Sequence, residues 1–209
     1  MAVPSDGPRA TAAGAPAPVE RPTNLVISGV GGQGVILASF VLSQAAMADG
    51  LDVKQSEVHG MSQRGGSVTS HLRFGPKVWA ALITPGTADV LVAFEALEAA
   101  RYLHWLRPGG VVVFNTLAIN PSPVAAGAAA YPRGLAAQIE ARCPGARAID
   151  AARLAAAAGE PRATNMAMLG AASAVLPLDA TTLEAVIERV VPPKTVAANL
   201  RAFHLGREG

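Results

Sequence analysis

The run Gly29-Val30-Gly31-Gly32-Gln33-Gly34 follows a short apolar stretch, Asn24 to Ser28, and leads into an amphipathic one, Val35 to Ala48. A tight glycine turn in that setting is the opening of a strand–helix–strand unit, and with the short links that follow it indicates a mostly parallel sheet covered by helices. Backbone N–H groups at the start of the helix point into such a turn. The helix dipole adds partial positive charge, so the turn suits an anion such as a phosphate. A second glycine segment follows, His59-Gly60-Met61-Ser62-Gln63-Arg64-Gly65-Gly66. It sets a guanidinium beside residues without a Cβ, where backbone can come close to a ligand or another chain.

The rest of the chain reads around that turn. Asn24 to Val30 is expected as a buried strand, Gln33 to Asp49 as a helix closed by Gly50, and Leu51 to Ser56 as a second strand. From Ser67 to Phe74, Val68, Ser70, Leu72 and Phe74 alternate with Ser67, Thr69, His71 and Arg73. That period of two predicts a half-exposed strand. Gly75-Pro76 marks a turn, with Lys77 to Ile83 as the hairpin partner. Asp89 to Phe94 and Val111 to Asn115 read as buried strands around a helix from Glu95 to Leu106, which Pro108-Gly109-Gly110 ends.

Asn120 to Pro132 reads as a loop. Gly134 to Arg142 and Ala151 to Ala158 read as helices about a short strand, Ala146 to Ile149. Three helices complete the chain between Ala163 and Phe203, with Asp179 as an N-cap and Pro193 near the start of the last. The expected class is α/β: a mostly parallel sheet with helices on both faces, an antiparallel hairpin and a helical C-terminal part. Residues 1–22, rich in Pro, Ala and Gly, are expected as a disordered leader, and residues 23–209 as a single domain.

Composition excludes several classes. One cysteine, Cys143, rules out an internal disulfide and a cysteine-held zinc or iron–sulfur centre made by this chain alone. The net charge is +2 and the basic residues are scattered, so no basic stripe for nucleic acid is present. Pro4, Asp6, Pro8 and Arg9 interrupt any signal-peptide core, and no run of about eighteen apolar residues follows. The expectation is a cytoplasmic protein with no membrane span.

Several residues are candidates for a site. The turn glycines Gly29, Gly31, Gly32 and Gly34, with Gln33, could hold phosphate, or some of them could only allow close packing. Glu57 sits where a nicotinamide-binding unit carries its ribose-binding acid, but it runs straight into the second glycine segment. Arg64 could clamp a phosphate or carboxylate, or pair with Glu57. His59 could be a base or a structural hydrogen-bonding group, with Gln63, Gly65 and Gly66 beside it. Glu95 reads as charge favoured at a helix start. Asn115 ends a parallel strand, at the edge where ligands of such sheets bind. Asn165 enters a helix as a cap. No metal-ligand spacing links His71, His104 and His204, and no catalytic residue stands out.

These residues together resemble a known family. Gly29 to Gly34 and then Ser56-Glu57-Val58-His59-Gly60-Met61-Ser62-Gln63-Arg64-Gly65-Gly66-Ser67-Val68 are similar to the gamma subunits or domains of 2-oxoacid:ferredoxin oxidoreductases. Ala88-Asp89, Phe94-Glu95, Pro108-Gly109-Gly110, Thr164-Asn165-Met166, Leu169-Gly170, Asn199, Ala202-Phe203 and Gly206 agree with it. The Met-Ser-Gln-Arg-Gly-Gly form resembles the indolepyruvate branch. The resemblance implies a Rossmann-like small subunit of an enzyme that converts a 2-oxoacid and coenzyme A to acyl-CoA and CO2 while reducing ferredoxin. It implies that thiamine diphosphate and iron–sulfur clusters are held by a larger alpha subunit. It also implies that the residues named above help to bind coenzyme A or shape the cleft. A purely scaffolding subunit and a free-standing NAD(P)-binding oxidoreductase remain as alternatives.

Overall fold

A computed structural model of the chain describes residues 20–59 and 65–209. Most of the expected leader, together with Gln63 and Arg64, therefore lies outside the described residues. Six strands form one sheet: β1 (Thr23–Val30), β2 (Asp52–His59), β3 (Ser67–Gly75), β4 (Ala88–Ala93), β5 (Leu106–Asn115) and β6 (Arg147–Ile149). Their spatial order is β2-β3-β1-β4-β5-β6. β1, β4, β5 and β6 pair in parallel, and β3 runs against both β1 and β2. Five strands thus share one direction, and β3 alone opposes them.

Eight α-helices complete the described chain: α1 (Val35–Ala48), α2 (Ala96–Tyr102), α3 (Ser122–Ala125), α4 (Leu135–Arg142), α5 (Ala151–Ala157), α6 (Thr164–Ser173), α7 (Ala180–Val190) and α8 (Val196–Glu208). One sheet face, carrying Leu25, Ile27, Leu72, Val90 and Val113, is covered by α1, α5, α6, α7 and α8. The other, carrying Val26, Leu91, Val112 and Phe114, meets α2 and α4 through Ala99 and Ile139. The long apolar runs of β1 and β4 follow from this burial on both faces. Asp179 caps α7 by accepting the Thr181 N–H at 2.8 Å, as its type and position predict.

Two expectations about the strand from Ser67 to Phe74 fail. Its hairpin partner is β2, not Lys77 to Ile83, which forms no strand. Both edges of β3 are taken by β1 and β2, so no ladder is left for the later segment. Nor is the strand half exposed, since Thr69 and His71 are as buried as Val68 and Leu72. Residues 76–83 and Trp105 cover that second face. The Ile83 N–H donates to His71 Nδ1 at 3.2 Å, and Trp105 meets the imidazole edge-on at 4.7 Å.

The chain is tied to the sheet before β1 starts. Arg21 grips Asp89 at 2.6 and 3.1 Å, and Asp89 also accepts Arg107 Nε at 2.7 Å and the Asn24 N–H at 2.9 Å. Burial opposes the Asp89 charge, but the two guanidiniums and the amide outweigh it and lower the carboxyl pKa.

Candidate functional site

After β1 the chain crosses to one sheet face as α1, and after β4 it crosses to the other as α2. The C-terminal ends of β1 and β4 therefore flank the crevice where open sheets of this type take ligands. The first glycine segment occupies that crevice. Gly29 is buried, and a Cβ there would stand 2.7 Å from Val35 Cγ2 and 2.9 Å from Phe94 Cβ. It is a packing glycine. Gly32 and Gly34 have φ of +102° and +82°, a region that suits glycine and strains other residues. At Gly34 a Cβ would also meet Asn165 Nδ2 at 2.8 Å, so the start of α6 is seated against the turn.

Gln33 stitches the crevice shut at its floor. Its Oε1 accepts the Val30 N–H at 2.7 Å, and its Nε2 donates to the Phe94 carbonyl at 2.8 Å. The Gly31 N–H donates to the Gly66 carbonyl at 2.9 Å. The two glycine segments, thirty-odd residues apart in the chain, are therefore one structure. Gly65, in the left-handed region at φ +73°, carries the chain into that contact.

α1 starts without a side-chain cap or an acidic residue in its first turn. Its first intrahelical bond runs from the Ala38 N–H to the Gly34 carbonyl at 3.0 Å, so the N–H groups of Val35 to Leu37 precede the ladder. They open on a cleft of about 600 Å³ walled by Val30, Val35, Ile36, Leu37, Phe40 and Val68, with Gln55 and Glu57 in its lining. Ile36 and Phe40 are 50% and 44% exposed, although they are large and apolar. A second hollow of about 270 Å³ shares Leu37 and carries Arg162, Asn165 and Lys194. A third, of about 700 Å³, is lined by Arg107, Gly109 and Cys143 at the opposite edge of the sheet, where β5 begins. Its size exceeds that of the cleft, but none of the candidate residues lines it. Burial pushes the Cys143 thiol pKa up, which keeps it protonated.

The remaining candidates divide by what their polar atoms do. In register, Glu57 faces Ser70 of β3, and Ser70 faces Ile27 of β1. Glu57 thus lies two strands, about 10 Å, from β1 and below the turn. The insertion of β3 removes it from the ribose-binding place of a nicotinamide unit. Its carboxylate accepts Gln55 Nε2 at 3.1 Å. Asn115 is buried: its Nδ2 donates to the Phe94 carbonyl at 3.3 Å and its Oδ1 accepts the Ala151 N–H at 3.3 Å. Asn165 Oδ1 accepts the Met166 N–H at 3.0 Å. His59 closes β2 opposite Val68.

Glu95, expected as helix-start charge, does cap α2 by accepting the Glu98 N–H at 2.8 Å. It also accepts the Ile119 N–H at 3.0 Å and the Tyr131 hydroxyl at 2.5 Å, which binds the loop after β5 to the crevice. Burial first, then the Glu95 carboxylate, raises the Tyr131 pKa well above the ordinary phenol value. Sequence reading missed Tyr131, in a loop of prolines and alanines, and Glu98. The latter is buried and accepts the Ser67 hydroxyl at 2.5 Å and Arg101 at 2.6 Å. Ser67 directly follows the second glycine segment, so Glu98 fixes its return arm. A glutamate three residues into a helix reads as solvent-facing, and only its packing distinguishes it. Among the described residues no group of His, Cys, Asp or Glu is arranged to hold a metal ion.

A parallel-sheet crevice floored by two joined glycine segments, with an uncapped helix start and apolar walls, defines a binding domain. Residues 24–209 match the family described as pyruvate ferredoxin/flavodoxin oxidoreductase, and the chain belongs to that family. It is similar to indolepyruvate oxidoreductase subunit IorB of Thermococcus kodakarensis, at 44% identity over 188 residues, covering 88% of this chain and 93% of that one. The IorB of Pyrococcus horikoshii is 43% identical over the same shares. The gamma subunit of a keto/oxoacid ferredoxin oxidoreductase from Geobacter sulfurreducens superposes with a TM-score of 0.66, at 25% identity and 89% and 96% coverage. No described helix is long and apolar enough to cross a membrane.

Proposed function

We propose that this chain is the small subunit of an indolepyruvate:ferredoxin oxidoreductase, an enzyme that converts an aryl 2-oxoacid and coenzyme A to acyl-CoA and CO2 with reduction of ferredoxin. The observation that carries the reading is similarity to IorB over 88% of this chain and 93% of the relative. Thiamine diphosphate and iron–sulfur clusters belong to a larger alpha subunit. A single cysteine, 28 residues past the end of β5 and remote from the crevice, does not fit a cluster here. In the partner, the thiamine group stabilises a carbanion; protein groups supply position and field.

The residues of this chain fit a phosphate-bearing thiol co-substrate. The N–H groups of Gly32 and of the first turn of α1 are donors to an anion, and the apolar cleft beside them accepts an uncharged arm. Gly29, Gln33, Gly34 and Asn115 act by keeping the crevice in shape, since their side chains or their lack of one are used inside the fold. Arg64, on the segment between β2 and Gly65, is assigned to a phosphate or carboxylate of the substrates. Three observations weigh against a free-standing nicotinamide enzyme: β3 separates β2 from β1, Glu57 is displaced with it, and Gly31 gives its N–H to Gly66.

The chain purified with its larger subunit is expected to reduce a viologen dye from indolepyruvate only when coenzyme A is present. Arg64→Ala should raise the KM for coenzyme A about tenfold or more without dissociating the subunits. An unaltered KM for both substrates would remove Arg64 from the site. Loss of association instead would favour the scaffolding role.

A further inference from the structure

Residues 76–83 leave β3 and cross its outer face without joining the sheet. Three bonds fix their backbone. The Val78 N–H donates to Asp52 Oδ2 at 3.0 Å, Arg73 Nη1 donates to the Ala80 carbonyl at 2.9 Å, and the Ile83 N–H reaches His71. The side chains of Val78 and Ile83 are buried. Between them Trp79 is turned outward with 85% of its surface exposed, and Leu82 with 60%. A tryptophan presented on a pinned strap loses little freedom when a partner covers it. Aromatic residues so held are the usual anchors of protein interfaces.

The charges around the strap have one sign in excess. Asp52 is shared by Lys54 at 2.8 Å and Lys77 at 3.5 Å. Among the described residues Arg73 has only neutral acceptors, the Ala80 carbonyl and Asn24 Oδ1 at 2.8 Å. Lys77 Nζ stands 5.1 Å from the Trp79 ring centroid. The ionic groups bonded at the strap are thus three cations and one carboxylate. The place is also separate from the crevice. Arg73 and Phe74 pair with the first residues of β1, whereas Ser67 pairs with Val30 at its end, about 20 Å away along the strand.

We infer that the Trp79 strap docks an acidic protein, and that the protein is the ferredoxin that accepts electrons from the complex. Positive charge around an aromatic anchor steers an acidic partner in and then holds it by burial of the indole. The inference rests on the function proposed above, which supplies the need for such a carrier.

The test uses the complex of this chain with its larger subunit. Reduction of an acidic ferredoxin and of methyl viologen is followed with 2-oxoacid and coenzyme A saturating. Trp79→Ala should raise the KM for ferredoxin about tenfold and leave the viologen rate unchanged. Lys77→Glu should do the same and flatten the dependence of the ferredoxin rate on salt. Both residues are exposed, so folding is not at stake. An unchanged ferredoxin KM in both variants overturns the docking role. So does release of the larger subunit on gel filtration, which would make the strap a subunit contact. If the unaltered complex reduces no viologen from any 2-oxoacid, the functional reading falls first and takes the docking role with it.

Discussion

Replacing Gly170 by alanine sets two physical effects against each other. Glycine inside a helix costs about 1 kcal/mol relative to alanine, so propensity alone predicts a more stable protein. In the structure, α6 and α8 cross so closely that a Cβ on Gly170 would collide with the Phe203 carbonyl, and one on Gly206 with the Ala167 carbonyl. Both obstacles are backbone and cannot rotate away. The helices would have to separate by about an ångström, which forfeits a quarter to a half of the dispersion energy at each contact. Ala167, Ala171, Ala202 and Phe203 all lose packing, and each is fully buried. Overpacking of this kind costs about 3 kcal/mol, beyond the helix gain, against a total stability of about 5–15 kcal/mol for a domain. Urea denaturation of Gly170→Ala should therefore show a midpoint well below that of the parent. Gly206→Ala should match it, and the double variant should cost clearly less than the sum, because one separation relieves both collisions. A stabilised Gly170→Ala, or strictly additive losses, would refute the steric account.

Gln33→Ala leaves the Val30 N–H and the Phe94 carbonyl without partners and should cost about 2 kcal/mol, read from urea midpoints, while weakening coenzyme A binding in the complex. For Asp89, whose folded pKa is lowered, the stabilising contribution is intact above about pH 3.9 and is lost as pH falls through the folded value. Asp89→Asn should thus flatten the acid limb of the stability profile, and thermal melts of the two proteins below about pH 4 should converge. Tyr131→Phe should abolish the most alkaline phase of the phenolate absorbance titration and loosen the loop after β5, seen as faster amide exchange at Ile119. An exchange rate unchanged at Ile119 would mean that Glu95 holds that loop without the phenol.

Much of the fold was legible because single residues carried it. The glycine turn after an apolar run located β1 and α1, and Asp179 marked the start of α7. Local turn chemistry was misleading at Gly75-Pro76. A hairpin signal there is real as a reversal, but strand pairing depends on which edges are free, and β2 already occupied that edge. Alternation along β3 was correctly read as two faces, yet burial of the second depended on Trp105 and on a strap that makes no ladder. At the site, the glycines were evident and their union was not. No spacing rule connects Gly31 with Gly66, or Ser67 with Glu98.

Sequence by itself determined the class and the family, because these follow from local patterns of residue types along the chain. Tertiary structure alone decided that β3 runs against its neighbours and so removes Glu57 from a nucleotide-binding place. It decided as well which polar side chains serve the fold, and that Trp79 stands in water on a fixed backbone. Each of those outcomes depends on what a residue faces across space, and facing is set by the packing of distant segments rather than by their order in the chain.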